Sequence, residues 1–329
     1  MNRAALWDLD PASYRRHELH VRPRAWSESN CYVDLCVEVL HAAGFEPYAC
    51  LGFSLASDFE GDQFTFFKPP PQDLQALYGV SVYELNLWRP LLDHALGQLQ
   101  RGGLLLAEVD SFYLPDTSAT DYRRAHVKTT IGIERIDIDA RALGYFHNAG
   151  YFALEGADFD GLFQIDPPVP VTHLPPYVEL VRFPTAPARR ERERELVERS
   201  LELTRGHLRR RPTENPITRY KLQLDQDIEW LIARDLATYH QYAFSTLRQL
   251  GASFEHAALY LGWLGSAGLG GLEPAAQYFD HISQAAKTLI LKLARIVNSK
   301  RATDLRSMLE PMESSWERGM SEVLTRLEP

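Results

Sequence analysis

The sequence changes in pattern near residue 187, and this change constrains the fold more than any other feature. Before it, short runs rich in β-branched and aromatic residues alternate with glycine and proline, as in strands joined by turns. After it, apolar residues recur every three or four positions, as in helices that pack on one another. The sequence therefore predicts an α+β domain at residues 1–186 and an all-helical domain at residues 187–329.

Apolar runs bounded by turn residues locate the predicted strands. They fall at residues 48–55, 63–67, 104–109, 127–133, 142–146 and 177–183. Two helices, Ser29–Ala43 and Val82–Gln100, are predicted in the same half, and Pro90 is expected to kink or restart the second. The proline-rich residues 165–187 are expected to form an extended linker. Later helices are predicted at about 189–211, 217–250 (ended by Gly251), 254–264, 274–296 and 304–327.

Composition excludes several classes of protein. The 44 acidic and 35 basic side chains give a net charge of −9, which disfavours a general nucleic-acid binder. There is no run of about 18 apolar residues and no amino-terminal signal core, so no membrane span is expected. Three cysteines cannot form a disulfide framework, and the histidines lack metal-ligand spacing. We therefore expect a cytoplasmic protein without a metal site.

Cys31 stands at the predicted start of the first helix. Ser29 and Asn30, directly before it, are typical N-cap residues. The positive end of the helix dipole favours a thiolate, and backbone N–H groups there can hold an oxyanion. Cys31 is therefore a candidate nucleophile, with a small apolar residue at a helix start as the ordinary alternative. Cys36 and Cys50 are predicted to be core residues.

A cysteine nucleophile needs a base and a group that orients the base. His126 opens the strand-like run VKTTIGI, and a hairpin centred near Asp137 would put Asn148 directly opposite it. Asn148 is thus predicted to orient His126, while Asp137 and Asp139 would lie too far away, at the hairpin tip. His147 would face the other side of its strand and is a weaker base. The ordinary alternatives are a strand-end histidine and a turn asparagine without a chemical role.

The order Cys31, His126, Asn148 within one α+β half resembles the papain-like cysteine peptidase fold. It is most similar to the compact double-glycine peptidases that process bacteriocins. The run Val109–Pro115, followed by His126, also resembles the amino-terminal domain of the butirosin biosynthesis protein H family. The full length and the helical second half resemble an uncharacterised bacterial family of similar size.

The resemblance implies a papain-like antiparallel sheet with a cysteine-bearing helix, and an acyltransferase activity. An (amino)acyl group would pass from a carrier-protein or pantetheine thioester to Cys31 and then to a small-molecule amine. His126 would act as base and then as acid, oriented by Asn148, and Asp110 and Tyr113 would lie at the substrate. No cofactor is implied beyond the phosphopantetheine that carries the acyl group.

The resemblance also has one departure. Papain-like peptidases place a glutamine about six residues before the cysteine, to complete the oxyanion hole, and this chain has Ala25 there. Asn30 or a backbone amide would have to replace it. A weaker oxyanion hole tolerates thioesters better than amides, which favours transfer over proteolysis.

Two other functions stay open at this stage. A cysteine peptidase or amidase would use the same residues. A non-catalytic binding protein on a degenerate papain-like fold would have a buried, unreactive Cys31. Residues 189–211 contain nine Arg and five Glu, a net charge of +4. They fit docking of an acidic partner such as an acyl carrier protein or, more simply, a solvated helix.

Overall fold

The computed structural model describes residues 2–165, 175–184, 193–301 and 303–328. These residues form an α+β fold with an antiparallel sheet and a carboxy-terminal helical region. The predicted boundary at residue 187 and much of the predicted proline-rich linker lie outside the described residues.

The strands are β1 (Arg3–Ala5), β2 (Ser81–Leu85), β3 (Gly103–Asp110), β4 (Lys128–Asp137), β5 (Ala142–His147), β6 (Gly150–Glu155) and β7 (Val178–Arg182). The α-helices are α1 (Glu18–Val21), α2 (Cys31–Ala42), α3 (Pro71–Tyr78), α4 (Leu91–Leu99), α5 (Ala157–Phe163), α6 (Glu193–Leu208), α7 (Pro216–Ile232), α8 (Leu236–Ala243), α9 (Gln249–Ser266), α10 (Glu273–Ser299) and α11 (Arg306–Leu327).

The chain divides into two compact units, each built from separate stretches of sequence. The sheet unit comprises Met1–Arg22, Asn30–Glu46 and Leu74–Arg189. The helical unit comprises Pro23–Ser29, Pro47–Asp73 and Arg190–Pro329. Two segments of the first half of the chain therefore belong to the helical unit.

The sheet is antiparallel throughout its described strands, in the order β2-β7-β3-β4-β5-β6, with β1 paired to the end of β4. Side chains alternate between its two faces. One face carries Leu105, Ile131 and Tyr145 and packs with α4 and α5 into a buried core. On the opposite face, Cδ1 of Leu35 in α2 lies 3.2 Å from the point where a Cβ on Gly132 would stand. The sheet unit is thus a sheet covered by helices on both faces.

In the helical unit, Trp26 anchors the segment Pro23–Ser29. Its backbone N–H donates to Glu255 (3.1 Å), and its indole N–H donates to Ser283 (2.9 Å). A Cβ on Gly251 would lie 2.4 Å from the indole ring, so only glycine leaves room for the ring at that position. Gly251 therefore lies inside α9 as a packing residue and does not end a helix, contrary to the prediction.

Four of the predicted strands are confirmed as β3, β4, β5 and β7. Each is an apolar run that is hydrogen-bonded to a neighbouring strand on both sides. Residues 48–55 instead lie in the 3-10 helix Pro47–Ala56, which is buried along nearly its whole length. A short apolar run has no periodicity that separates a buried helix from a buried strand, which explains the error. Residues 63–67 contribute one bridge, between Phe64 and Phe59.

The helix predicted at 82–100 is half wrong. Its first residues form β2, paired only with β7 among the described strands, and α4 begins directly after Pro90. The helix predicted at 217–250 is interrupted, because Asp235 caps a new helix start and Phe244–Arg248 forms a π-helical turn. The starts predicted near Pro274 and Asp304 agree with α10 and α11.

Candidate active site

Cys31 is the first residue of α2, as the capping residues predict. The side-chain oxygen of Asn30 accepts a hydrogen bond from the backbone N–H of Val33 (2.8 Å), so the buried Asn30 is the N-cap. Within the described part of the chain, neither the thiol nor the backbone N–H of Cys31 has a hydrogen-bond partner. The Asn30 oxygen is therefore engaged in capping, while the N–H of Cys31 is available to an oxyanion.

The two other cysteines are buried, as expected for core residues. Burial, and then the nearby Glu179 carboxylate, raise the pKa of the Cys36 thiol to about 12. The Cys50 thiol donates to the carbonyl of Pro47 (3.3 Å). Cys31 is the partly exposed thiol of the three.

Asp110 and His126 meet at one end of the sheet. Asp110 is the last residue of β3, and Nδ1 of His126 lies 2.5 Å from its Oδ2. The other oxygen, Oδ1, accepts a hydrogen bond from the backbone N–H of Phe112 (3.0 Å). The His126 side chain is 68% exposed, and its Nε2 has no partner among the residues described. Asp110 therefore holds the ring and leaves Nε2 available for proton exchange.

The contacts of α2 fix its direction along the sheet. Tyr32, in the first turn, donates from its hydroxyl to Glu179 (2.5 Å), which pairs with Leu106 of β3. Phe45, just after α2, packs on Tyr78 with ring centroids 5.0 Å apart, and Tyr78 lies just before β2 at the level of the start of β3. The amino-terminal end of α2 thus points toward the end of β3.

The Asp110–His126 pair lies at that same end of β3. Asp110 pairs with Lys128, and strand alternation puts Lys128 on the same face as Gly132, which α2 covers. Cys31 and the Asp110–His126 pair therefore share one face and one end of the sheet. No hydrogen bond joins Cys31 to His126 among the described residues, as is common for catalytic pairs before substrate binds.

The predicted pairing of Asn148 with His126 is wrong. Ile131 pairs with His147, so the register puts Asn148 level with Thr130. The turn between β4 and β5 follows Asp137 instead of being centred on it, and the bulge after Ile133 shifts the pairing back by only one residue. Asn148 begins the tight turn between β5 and β6 with a left-handed φ of 44°, which asparagine tolerates better than most residues.

Tyr113, predicted at the substrate, lies in the 3-10 turn Ser111–Tyr113. It packs tightly on α5, since a Cβ on Gly161 would lie 2.1 Å from its ring. The guanidinium carbon of Arg123 lies 5.7 Å from the centroid of the same ring. These contacts anchor the turn that follows Asp110.

Sequence reasoning missed a second histidine–aspartate pair, on the opposite face of the sheet. Nδ1 of His147 lies 2.6 Å from Oδ2 of Asp116, and its Nε2 lies 2.8 Å from the hydroxyl of Thr129. Tyr145 donates to Oδ1 of Asp116 (2.5 Å), and burial together with this carboxylate raises the pKa of Tyr145. The alternation of Tyr145 and His147 in β5 was the available signal, but nothing in the sequence indicated Asp116 as their partner.

A third polar cluster holds the flank of α2. His20 contacts Asp34 through Nε2 (3.1 Å) and Glu38 through Nδ1, and Tyr14 donates to Glu38 (2.7 Å). Burial alone would lower the pKa of His20, but the hydrogen bonds to both carboxylates outweigh it and raise the pKa. This buried network fixes α2, and with it Cys31, against the preceding segment.

The described ranges contain no group of three or more His, Cys, Asp or Glu side chains able to hold a metal ion. They also contain no helix long and apolar enough to cross a membrane. In α6, the exposed Arg194 pairs with Glu198 one turn later (2.9 Å), as on a solvated helix.

Two family models match the chain. The DUF1839 N-terminal domain matches residues 15–183, and the DUF1839 C-terminal domain matches residues 193–325. No curated protein matches it. The wider resemblances to the papain-like fold and to the butirosin type stay predictions. Together the two matches cover most of the sequence, and the chain belongs to the DUF1839 family.

Proposed function

We propose that this protein is a cysteine-dependent acyltransferase with a papain-like sheet unit, in which Cys31 carries the acyl group. The observation that carries the proposal is the Asp110–His126 pair at the end of the sheet toward which α2 presents Cys31. A histidine held at Nδ1 by a carboxylate, with Nε2 open, is the base that a cysteine nucleophile needs. Asp110 replaces Asn148 as the orienting residue.

In the first step, Nε2 of His126 takes the proton of the Cys31 thiol, and the sulfur attacks the carbonyl carbon of a thioester. The carbon–sulfur bond to the pantetheine thiol breaks, and that thiol leaves with the proton returned by His126. The enzyme now holds the acyl group as a thioester on Cys31. The backbone N–H of Cys31 is the available donor to the oxyanion in this step.

In the second step, an amine attacks the acyl group on Cys31. His126 takes a proton from the amine, the bond between carbon and the Cys31 sulfur breaks, and the thiol regains its proton. An amide is released and the enzyme is restored. The resemblance to the butirosin type supports a pantetheine or carrier-protein thioester as donor and a small amine as acceptor. No described feature of α6 argues for a carrier docking site there.

Intact-mass measurement after brief incubation with aminoacyl-pantetheine thioesters tests the proposal. The wild type and the matched control Cys36→Ala are expected to gain one acyl group, and Cys31→Ala is expected to gain none. Addition of a panel of small amines should then remove the adduct and yield an amide. An unmodified wild type would overturn the proposal, and an adduct lost to water at the same rate with and without amines would make the protein a thioesterase.

A further inference from the structure

The ring of His126 lies flat on the ring of Phe112. The two centroids are 4.4 Å apart and the ring planes differ by only 12°. Most aromatic contacts of the sheet unit are tilted or edge-on, as between Phe112 and Tyr113 (77°). Asp110 therefore holds one edge of the imidazole, and the Phe112 ring holds one of its faces. Together the two contacts restrict the orientation of the ring.

One short motif supplies both contacts. Oδ2 of Asp110 holds the imidazole, and Oδ1 accepts from the backbone N–H of Phe112. The carboxylate that orients His126 thus also sets the start of the turn that carries its stacking partner. Replacing Asp110 is therefore expected to disturb both contacts of the His126 ring, whereas replacing the Phe112 side chain leaves the backbone N–H that Asp110 accepts.

The backbone on both sides of His126 is tied to the same turn. The N–H of Ser111 donates to the carbonyl of Val127 (2.9 Å), and the N–H of Arg123 donates to the carbonyl of Phe112 (3.0 Å). The Arg123 guanidinium lies 5.6 Å from the centroid of Phe112 and pairs with Asp158. Phe112 is therefore fixed independently of His126 and can serve as a rigid surface for the exposed imidazole.

We propose that Phe112 is a positioning residue that holds the His126 ring in the plane required for proton exchange with Cys31. An exposed histidine bound at one nitrogen still rotates and departs from the geometry that proton transfer needs. The face of an aromatic ring also attracts the imidazolium that forms when Cys31 gives up its proton. This inference rests on the proposed function, because it assigns Phe112 a role in that reaction.

The test compares Phe112→Leu, which keeps the bulk and loses the aromatic face, with Phe112→Tyr, which keeps both. Phe66→Leu, at an exposed aromatic residue of the helical unit, is the matched control. Two quantities are measured: the initial rate of Cys31 acylation by an aminoacyl-pantetheine thioester, and the ring-proton chemical shifts of His126 in histidine-labelled protein. His126→Ala identifies the His126 signals.

Phe112→Leu is expected to slow acylation about tenfold and to remove the upfield ring-current shift of His126. Phe112→Tyr should restore the rate to within about twofold, and Phe66→Leu should match the wild type. Unchanged acylation in Phe112→Leu would overturn the inference. So would equal losses in Phe112→Leu and Phe112→Tyr with a lowered urea midpoint, which would mark a purely structural residue.

The two proposals fail in different ways. A wild type that forms no acyl adduct overturns the proposed function, and the positioning role falls with it even if the His126 shifts confirm the stack. A wild type that is acylated, with His126 shifts that do not change in Phe112→Leu, overturns the stack alone and leaves the acyltransferase proposal standing.

Discussion

The same chemical pair occurs on both faces of one sheet, in opposite surroundings. In each, Nδ1 of a histidine meets Oδ2 of an aspartate, at 2.5 Å for His126–Asp110 and 2.6 Å for His147–Asp116. The His126 side chain is 68% exposed with Nε2 open, whereas that of His147 is 2% exposed with Nε2 bound to Thr129. The pair geometry alone does not define an active site. The state of Nε2 distinguishes the two pairs: a histidine whose Nε2 is open is a candidate base, and one whose Nε2 is bound is a structural residue.

The thiols of α2 repeat this contrast within one helix. Cys31 begins the helix and is partly exposed, and Cys36 lies five residues further on and is buried. Because one helix carries both an accessible and a buried thiol, the reactivities of Cys31 and Cys36 can be compared within α2.

The largest effect is expected between these thiols. At pH 8, a thiol with a pKa of about 12 is ionised in only about one molecule in 10,000, so Cys36 should react with iodoacetamide at least about a thousandfold more slowly than Cys31. Mass mapping of the modified peptides over time measures both rates. If Cys31 and Cys36 were alkylated at comparable rates in the folded protein, Cys31 would not be distinguished from Cys36 as the accessible thiol.

His126→Ala should lower the rate of acyl transfer by about a thousandfold, since a positioned base contributes roughly 10²–10⁴. The urea-unfolding free energy should change by less than about 1 kcal/mol, because the pair is exposed. Steady-state kinetics and urea titration of the same preparation measure both. A large loss of stability with little loss of rate would reverse the roles given to the two histidines.

Asp116→Ala should destabilise the protein by about 3 kcal/mol, because the buried His147 and the Tyr145 hydroxyl both lose their acceptor. Asp116→Asn, which keeps the shape and one acceptor, should cost less. Urea titration followed by tryptophan fluorescence is the measurement. A loss of less than about 1 kcal/mol in Asp116→Ala would contradict the assignment of this pair as structural.

Asp110→Asn should lower the acylation rate about tenfold while changing stability by less than about 1 kcal/mol. The amide keeps an oxygen for the N–H of Phe112 but turns an N–H donor toward the imidazole. His126 then loses the acceptor that orients it. Mass measurement of the acyl adduct at a series of quench times tests this. An acylation rate equal to that of the wild type in Asp110→Asn would mean that Asp110 is not the residue that orients His126.

Thr129→Val should have the smallest effect, about 1 kcal/mol of destabilisation, from leaving Nε2 of the buried His147 without its hydroxyl partner. Acyl transfer should not change, because Thr129 lies on the face away from α2. Thermal unfolding and the transfer assay check the two statements together. A loss of transfer in this variant would mean that the second pair takes part in the chemistry.

Local patterns were sufficient for the elements that carry the candidate site. Strands β3, β4 and β5 have apolar runs of strand length bounded by glycine or by polar turns, and Asn30 caps α2 where the sequence indicates. These signals depend on residues close together in the chain. They were enough to select Cys31 and His126 as candidate site residues, whereas Asp110 was indicated only by the resemblance to the butirosin type.

The partners of these residues depended on register, which the sequence determines poorly. The turn that follows Asp137 moves Asn148 away from the level of His126, and the bulge after Ile133 compensates for only one residue of that offset. The end of β3 brings Asp110 to His126 instead. The Asp116–His147 contact joins a turn to a strand 31 residues later and leaves no local trace. The apolar run at 48–55 predicts a strand but forms a 3-10 helix, because burial on all sides leaves no periodicity that distinguishes the two.

The position of Trp26 in the helical unit sets an order of events during protein synthesis. The indole N–H is bound by Ser283, which leaves the ribosome 257 residues later, and the backbone N–H by Glu255, 229 residues later. The sheet unit can form before the partners of Trp26 in the helical unit have been synthesised. The environment of Trp26 in the helical unit is thus complete only after residue 283 has been synthesised, and contacts between residues so distant in sequence slow folding.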